Sequence, residues 1–156
     1  MDDHARDAIR RIFLNRRPHV ALLNAATWLG MSMKALRGDI ADGAIVAVET
    51  GVGLRIPREE MLALAMRAWP QAIIEEALGE EAPGVLPEAI RLVELRARVP
   101  RYQRDMLRAL TRRNGTTVDE VLTRELEDVA CAHAEELSRA LPGFAVALAW
   151  PERSEG

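Results

Sequence analysis

Glu94-Leu95-Arg96-Ala97-Arg98-Val99-Pro100 alternates strictly. In an extended chain Glu94, Arg96 and Arg98 fall on one side, and Leu95, Ala97 and Val99 on the other. Pro100 ends the pattern and suits the first turn of a helix. A lone short strand does not persist in water, and an unpaired edge with Leu95, Ala97 and Val99 inward is an aggregation hazard. The stretch therefore predicts a partner strand. Two copies paired antiparallel in a homodimer give a two-stranded ribbon with arginines outward. The major groove of DNA admits such a ribbon, and arginine is the commonest reader of guanine there.

Two helical patterns follow. Arg101 to Arg113 carries Tyr102, Met106, Leu107 and Leu110 at helical spacing, with Arg101, Arg104, Arg108 and Arg112 opposite. Asn114-Gly115 is a stop signal. Thr117 with Glu120 three residues on reads as a capping box that starts a second helix. Its broad apolar face holds Val118, Val121, Leu122, Leu126, Val129, Ala130, His133 and Leu137. Val121, Leu122, Leu126 and Val129 are the expected helical part of the dimer interface.

This strand–helix–Gly–Thr–helix run, Leu92 to about Leu137, resembles the ribbon-helix-helix family, Arc-type repressors in particular. In that family the outward strand residues read bases, and here they correspond to Glu94, Arg96 and Arg98. The backbone at the start of the second helix grips a phosphate, which corresponds to Thr117 and Val118 and fits the positive end of a helix dipole. Arg101 and Arg104 are further expected phosphate contacts.

The net charge of −3 is misleading until it is mapped. Residues 1–58 carry +3, residues 59–90 carry −6, residues 91–118 carry +6 and residues 119–156 carry −6. The basic block coincides with the ribbon and first helix, and local charge forms the electrostatic footprint of a nucleic-acid binder.

The amino-terminal half carries a second pattern. Arg6 to Asn15 reads as a short helix with Ile9, Ile12 and Phe13 inward, broken by Arg16-Arg17-Pro18. Small alanines, Trp28-Leu29, Gly30 at a turn and Ser32 as N-cap follow the grammar of a helix-turn-helix, with Met33 to Ala41 as its second helix. Ile45 to Val48 and Leu54 to Ile56 bracket Thr50-Gly51-Val52-Gly53 as a hairpin. Pro57-Arg58-Glu59-Glu60 opens another helix. From His19 to about Ala68 this resembles the small winged helices of the MerR and excisionase type. That resemblance implies a second DNA site at Ser32, Lys34, Arg37 and Arg55. Asp39 and Asp42 on the same helix would repel phosphates, so a docking or dimerisation role stands beside base readout.

The fold class expected is mainly α: a winged helix-turn-helix-like module over residues 1–69, an acidic proline-containing connector over 70–90, a ribbon-helix-helix module over 91–138 whose strand pairs in a dimer, and an apolar tail over 139–156. Within the connector, Gln71 to Leu78 reads as a short helix. The tail, Pro142 to Pro151, reads as a final strand, or as a segment that covers a groove or another chain.

Enzymatic readings fail on geometry. Glu59-Glu60, Glu75-Glu76, Glu80-Glu81 and Glu135-Glu136 are adjacent pairs whose side chains diverge on a helix. One cysteine, Cys131, excludes an internal disulfide and a cysteine-based zinc site. His133 falls on an apolar stripe, and His4 and His19 lack ligand-spaced partners. No phosphate-cradling glycine loop, metal site or cofactor is expected. No apolar run reaches the length of a membrane span, and the first residues lack a signal peptide's order, so a cytoplasmic location is expected. The resulting expectation is a repressor-type regulator of double-stranded DNA acting as a homodimer. An antitoxin that also holds a toxin protein, and a scaffold whose basic patch meets an acidic protein, are the alternatives.

Overall fold

Asp2 accepts a hydrogen bond from the Ala5 backbone N–H (2.7 Å), so helix α1 (Asp3–Phe13) starts three residues before the apolar pattern does. Its inward face is Ala8, Ile9, Ile12 and Phe13. The Arg58 guanidinium donates to the carbonyls of Asn15 (2.7 Å) and Phe13 (3.2 Å) and closes its carboxyl end. The computed structural model describes residues 2–151. It is mainly helical with one small antiparallel sheet, and it divides into two units. The first runs to Arg91 and includes Trp150; the second is Leu92–Ala149.

In the first unit, α1 leads to β1 (His19–Ala21), α2 (Leu22–Trp28), α3 (Met33–Ala41), β2 (Val48–Thr50), β3 (Gly53–Pro57), α4 (Arg58–Ala68), α5 (Gln71–Leu78) and α6 (Ala82–Val85). Ala25 and Ala26 are buried, and such small side chains let α2 and α3 approach closely. Gly30, at φ 65, makes the turn between them in a conformation that favours glycine. The Ser32 hydroxyl caps α3 by accepting from Ala35 N–H at 3.1 Å.

The sheet order is β1-β3-β2, both pairs antiparallel. Val20 pairs with Ile56, and both point into the core. The hairpin turns at Thr50–Gly53, where Thr50 Oγ1 donates to the Gly53 carbonyl at 2.7 Å. Strand β1 has no counterpart in the sequence reading, because three residues are too few to show alternation. The first hairpin strand begins at Val48, not Ile45. The N–H groups of Ala44 and Ile45 both donate to the Asp39 carbonyl (2.8 and 3.1 Å), which wraps the chain around the end of α3 and drops Ile45 into the core.

The expected connector over 70–90 is corrected. Its residues belong to the first unit: Ile74, Ala77, Leu78, Ala82 and Leu86 are buried in the same core as Ile9, Ile12 and Phe13. Helix α5 packs on α1, and its acidic residues are the solvent side of an amphipathic helix. Arg10 ties the two helices, donating to both carboxylate oxygens of Glu81 (2.8 and 2.6 Å) and to the Ala77 carbonyl (3.2 Å). That hydrogen-bonded pairing holds the Glu81 carboxyl below its ordinary pKa and raises that of Arg10. The Trp150 ring stacks on Phe13 with centroids 6.4 Å apart.

In the second unit, a segment without helix or strand (92–100) precedes α7 (Arg101–Asn114), α8 (Val118–Ala132), α9 (Ala134–Ala140) and α10 (Phe144–Ala149). Gly115, at φ 64, is the left-handed stop of α7. Thr117 and Glu120 form both bonds of the capping box that opens α8. Two expectations fail here. The second helix does not run through to Leu137: it breaks at His133, whose backbone (φ −115, ψ 20) leaves the helical region and whose side chain is exposed. The segment expected as a final strand forms helix α10 at Phe144–Ala149, and residues 152–156 of the expected tail lie outside the described residues. No sheet edge in its unit offers it a partner among the described residues, and its alanines favour local helical bonding. No helix among the described residues is long and apolar enough to cross a membrane.

Candidate nucleic-acid interface

Residues 92–100 are exposed and form neither helix nor strand, so the strand expected over 94–99 is not formed within the single chain. The Arg96 guanidinium donates from Nε to Glu94 Oε1 (3.0 Å) and from Nη2 to Oε2 (3.3 Å). This ion pair places the Glu94 and Arg96 head groups together. Leu95 (75% exposed) and Val99 (48%) are uncovered apolar groups. Ala97 and Arg98 are exposed as well.

Helix α7 continues the basic surface. Arg104 Nη2 lies 2.7 Å from Asp105 Oδ1, and Arg101 Nε lies 3.8 Å from Asp105 Oδ2. One carboxylate thus sits between the two expected phosphate contacts, and an incoming phosphate would compete with it. Asp105, Arg108, Thr111 and Arg112 line a shallow cleft of about 370 Å³ on the same helix.

At the start of α8 the Thr117 N–H donates to Glu120 Oε2 (3.1 Å), and Thr117 Oγ1 accepts from Glu120 N–H (3.2 Å). A phosphate at Thr117 must therefore displace Glu120. Val118 holds the first helical position, whose N–H has no intrahelical acceptor. With Asp119 and Glu120 in that first turn, this end of α8 is less cationic than the helix dipole alone would make it.

The expected interface residues of α8 separate into two groups. Leu122, Leu126 and Val129 are exposed, with Leu126 at 54% and Val129 at 52%. Val121 is corrected: at 1% exposure it is the only buried side chain of the second unit among the described residues, packed where α7 meets α8. It serves the chain's own interior rather than a surface between chains.

The second candidate site is not assembled as the sequence reading had it. Ser32 caps α3, with Lys34 and Arg37 exposed on that helix. Arg55 instead lines a cleft whose other walls come from α1, the following loop, β1 and α2. Sequence reasoning missed this cleft. Its signal was slight: Arg55 alternates with core-facing Ile56, and Arg16-Arg17 reads as a helix break. No protein-family model, curated protein or solved structure significantly matches the chain.

Proposed function

We propose that this protein is a DNA-binding regulator of the repressor type that acts as a homodimer, with the ribbon-helix-helix arrangement in its second unit and a winged-helix arrangement in its first. The observation that carries this reading is the exposed segment 93–99, free of helix and strand, whose sequence alternates Leu95, Ala97 and Val99 with Glu94, Arg96 and Arg98. A second copy of residues 93–99, paired antiparallel, provides ladder partners for the backbone and covers the apolar side. Pairing then leaves Arg96 and Arg98 outward from each chain, in the block that carries +6. Occupying an operator blocks access to it, which is repression by occlusion. In the first unit Asp39 on α3 and Asp42 at its end favour docking over base readout by Lys34 and Arg37.

Selection of bound sequences from random DNA, followed by titration of an Arg96→Ala/Arg98→Ala variant, tests the reading. Both side chains are exposed, so the variant's stability should change by no more than about 0.5 kcal/mol. Each bidentate arginine–guanine contact is worth about 1–3 kcal/mol, and a symmetric dimer loses each twice. Specific binding exceeds non-specific binding by about 4–10 kcal/mol, so the variant should fall to the non-specific level. Undiminished specific binding refutes the ribbon mechanism. Absence of any salt-sensitive DNA binding by the native protein leaves the scaffold role in its place.

A further inference from the structure

The cleft holding Arg55 has a volume of about 570 Å³, within the range of about 300–1,000 Å³ typical of small-molecule sites. Three separate segments deliver cations to it: Arg11 from α1, Arg17 from the loop after it, and Arg55 from the central strand β3. None of the three joins an ion pair formed among the described residues. Arg10 also lines the cleft but is committed to Glu81. The one carboxylate in the lining is Asp7.

Arg55 is the most telling of these. It stands opposite Ala21 on one neighbouring strand and Val48 on the other. Ile56 beside it faces the core, so Arg55 projects from the other side of the sheet. Its Nε is buried and has no hydrogen-bond partner. A buried donor on a charged group without an acceptor is costly, and an anion in the cleft that Arg55 lines offsets part of that cost by pairing with the guanidinium charge. Guanidinium forks clamp phosphate bidentately. Trp28, half-buried, supplies a flat apolar wall, and Asn24 one turn before it supplies an amide. A smaller cavity of about 290 Å³ adjoins past Trp28 and shares Asp7 and Arg11 with the cleft.

We propose that this cleft binds a small aromatic molecule bearing a phosphate group, with the phosphate on Arg55 and Arg17 and the ring against Trp28. The site is independent of the ribbon, so it stands or falls apart from DNA recognition. Calorimetric titration of the full chain with adenosine monophosphate, adenosine and inorganic phosphate tests it. Saturable binding of the monophosphate is expected, with adenosine weaker by about tenfold or more, as loss of a charge-assisted fork requires. Arg55→Gln should weaken the monophosphate by a similar factor. Arg17→Gln, in an exposed loop, should do the same if the first variant folds poorly. No saturable monophosphate binding, equal affinity for adenosine, or unchanged affinity in both variants overturns the proposal. Loss of duplex DNA binding in Arg55→Gln, with no monophosphate binding by the native protein, also overturns it and makes the cleft a contact for DNA phosphate.

Discussion

Replacing Leu126 with alanine should weaken self-association by a calculable amount. Leu126 lies on α8 with Leu122 one turn before it and Val129 one turn after it, and it is 54% exposed in the single chain. Complete burial of a leucine side chain stabilises by about 1.5–3 kcal/mol. Covering the exposed half therefore contributes about 0.8–1.6 kcal/mol per chain, and twice that in a symmetric pair, about 1.6–3.2 kcal/mol. The dimer Kd of Leu126→Ala should rise about 15- to 200-fold. Alanine keeps one carbon of the side chain, which lowers the loss, while the cavity it leaves raises it, so the two corrections oppose each other. Arg124→Ala on the same helix, away from the apolar stripe, should change Kd by no more than about twofold. Sedimentation velocity over a dilution series measures all three proteins. A wild-type chain that stays monomeric and folded at about 100 μM, far above the Kd of a specific dimer, refutes the reasoning. So does a Leu126→Ala Kd equal to that of the wild type.

Two further outcomes test the first unit. Leu78 is fully buried, so Leu78→Ala should destabilise by about 2–5 kcal/mol and lower Tm by about 8 °C or more in a unit of this size; a solvated connector would lose at most about 0.5 kcal/mol. The Arg10–Glu81 bridge gives a pH dependence of fixed sign. Pairing lowers the folded-state pKa of Glu81 below its unfolded value, so its contribution is complete above the ordinary carboxylate range and is lost as pH falls through the folded-state value. The Tm difference between the native protein and Glu81→Gln should therefore shrink from about pH 7 to about pH 3, and a gap that stays constant contradicts the assignment.

Local signals located many element boundaries. Ser32, Gly115 and the Thr117–Glu120 box act through bonds to backbone groups within a few residues, so α3, the stop of α7 and the start of α8 were legible before any fold was known. The helix Gln71–Leu78 was legible from the spacing of Ala72, Ile73, Ile74 and Leu78, but its place was not. Proline and acidic residues gave residues 70–90 the composition of a linker, while Ile74 and Leu78 become core only because α1, some sixty residues earlier, offers them an apolar face. Strand β1 exists only because β3 lies beside it.

The chain by itself determined the strict alternation of residues 94–99, the local block of +6, the stop of α7 and the start of α8, because periodicity, charge and capping are properties of neighbouring residues. The tertiary structure decided that Val121 belongs to the interior while Leu122, Leu126 and Val129 stay uncovered. It decided that the final apolar segment is a helix, and that Arg55 leaves the α3 surface for a cleft shared with Arg11, Arg17 and Trp28. Burial and side-chain convergence depend on what distant segments bring to the same place, and spacing along the chain carries no record of that.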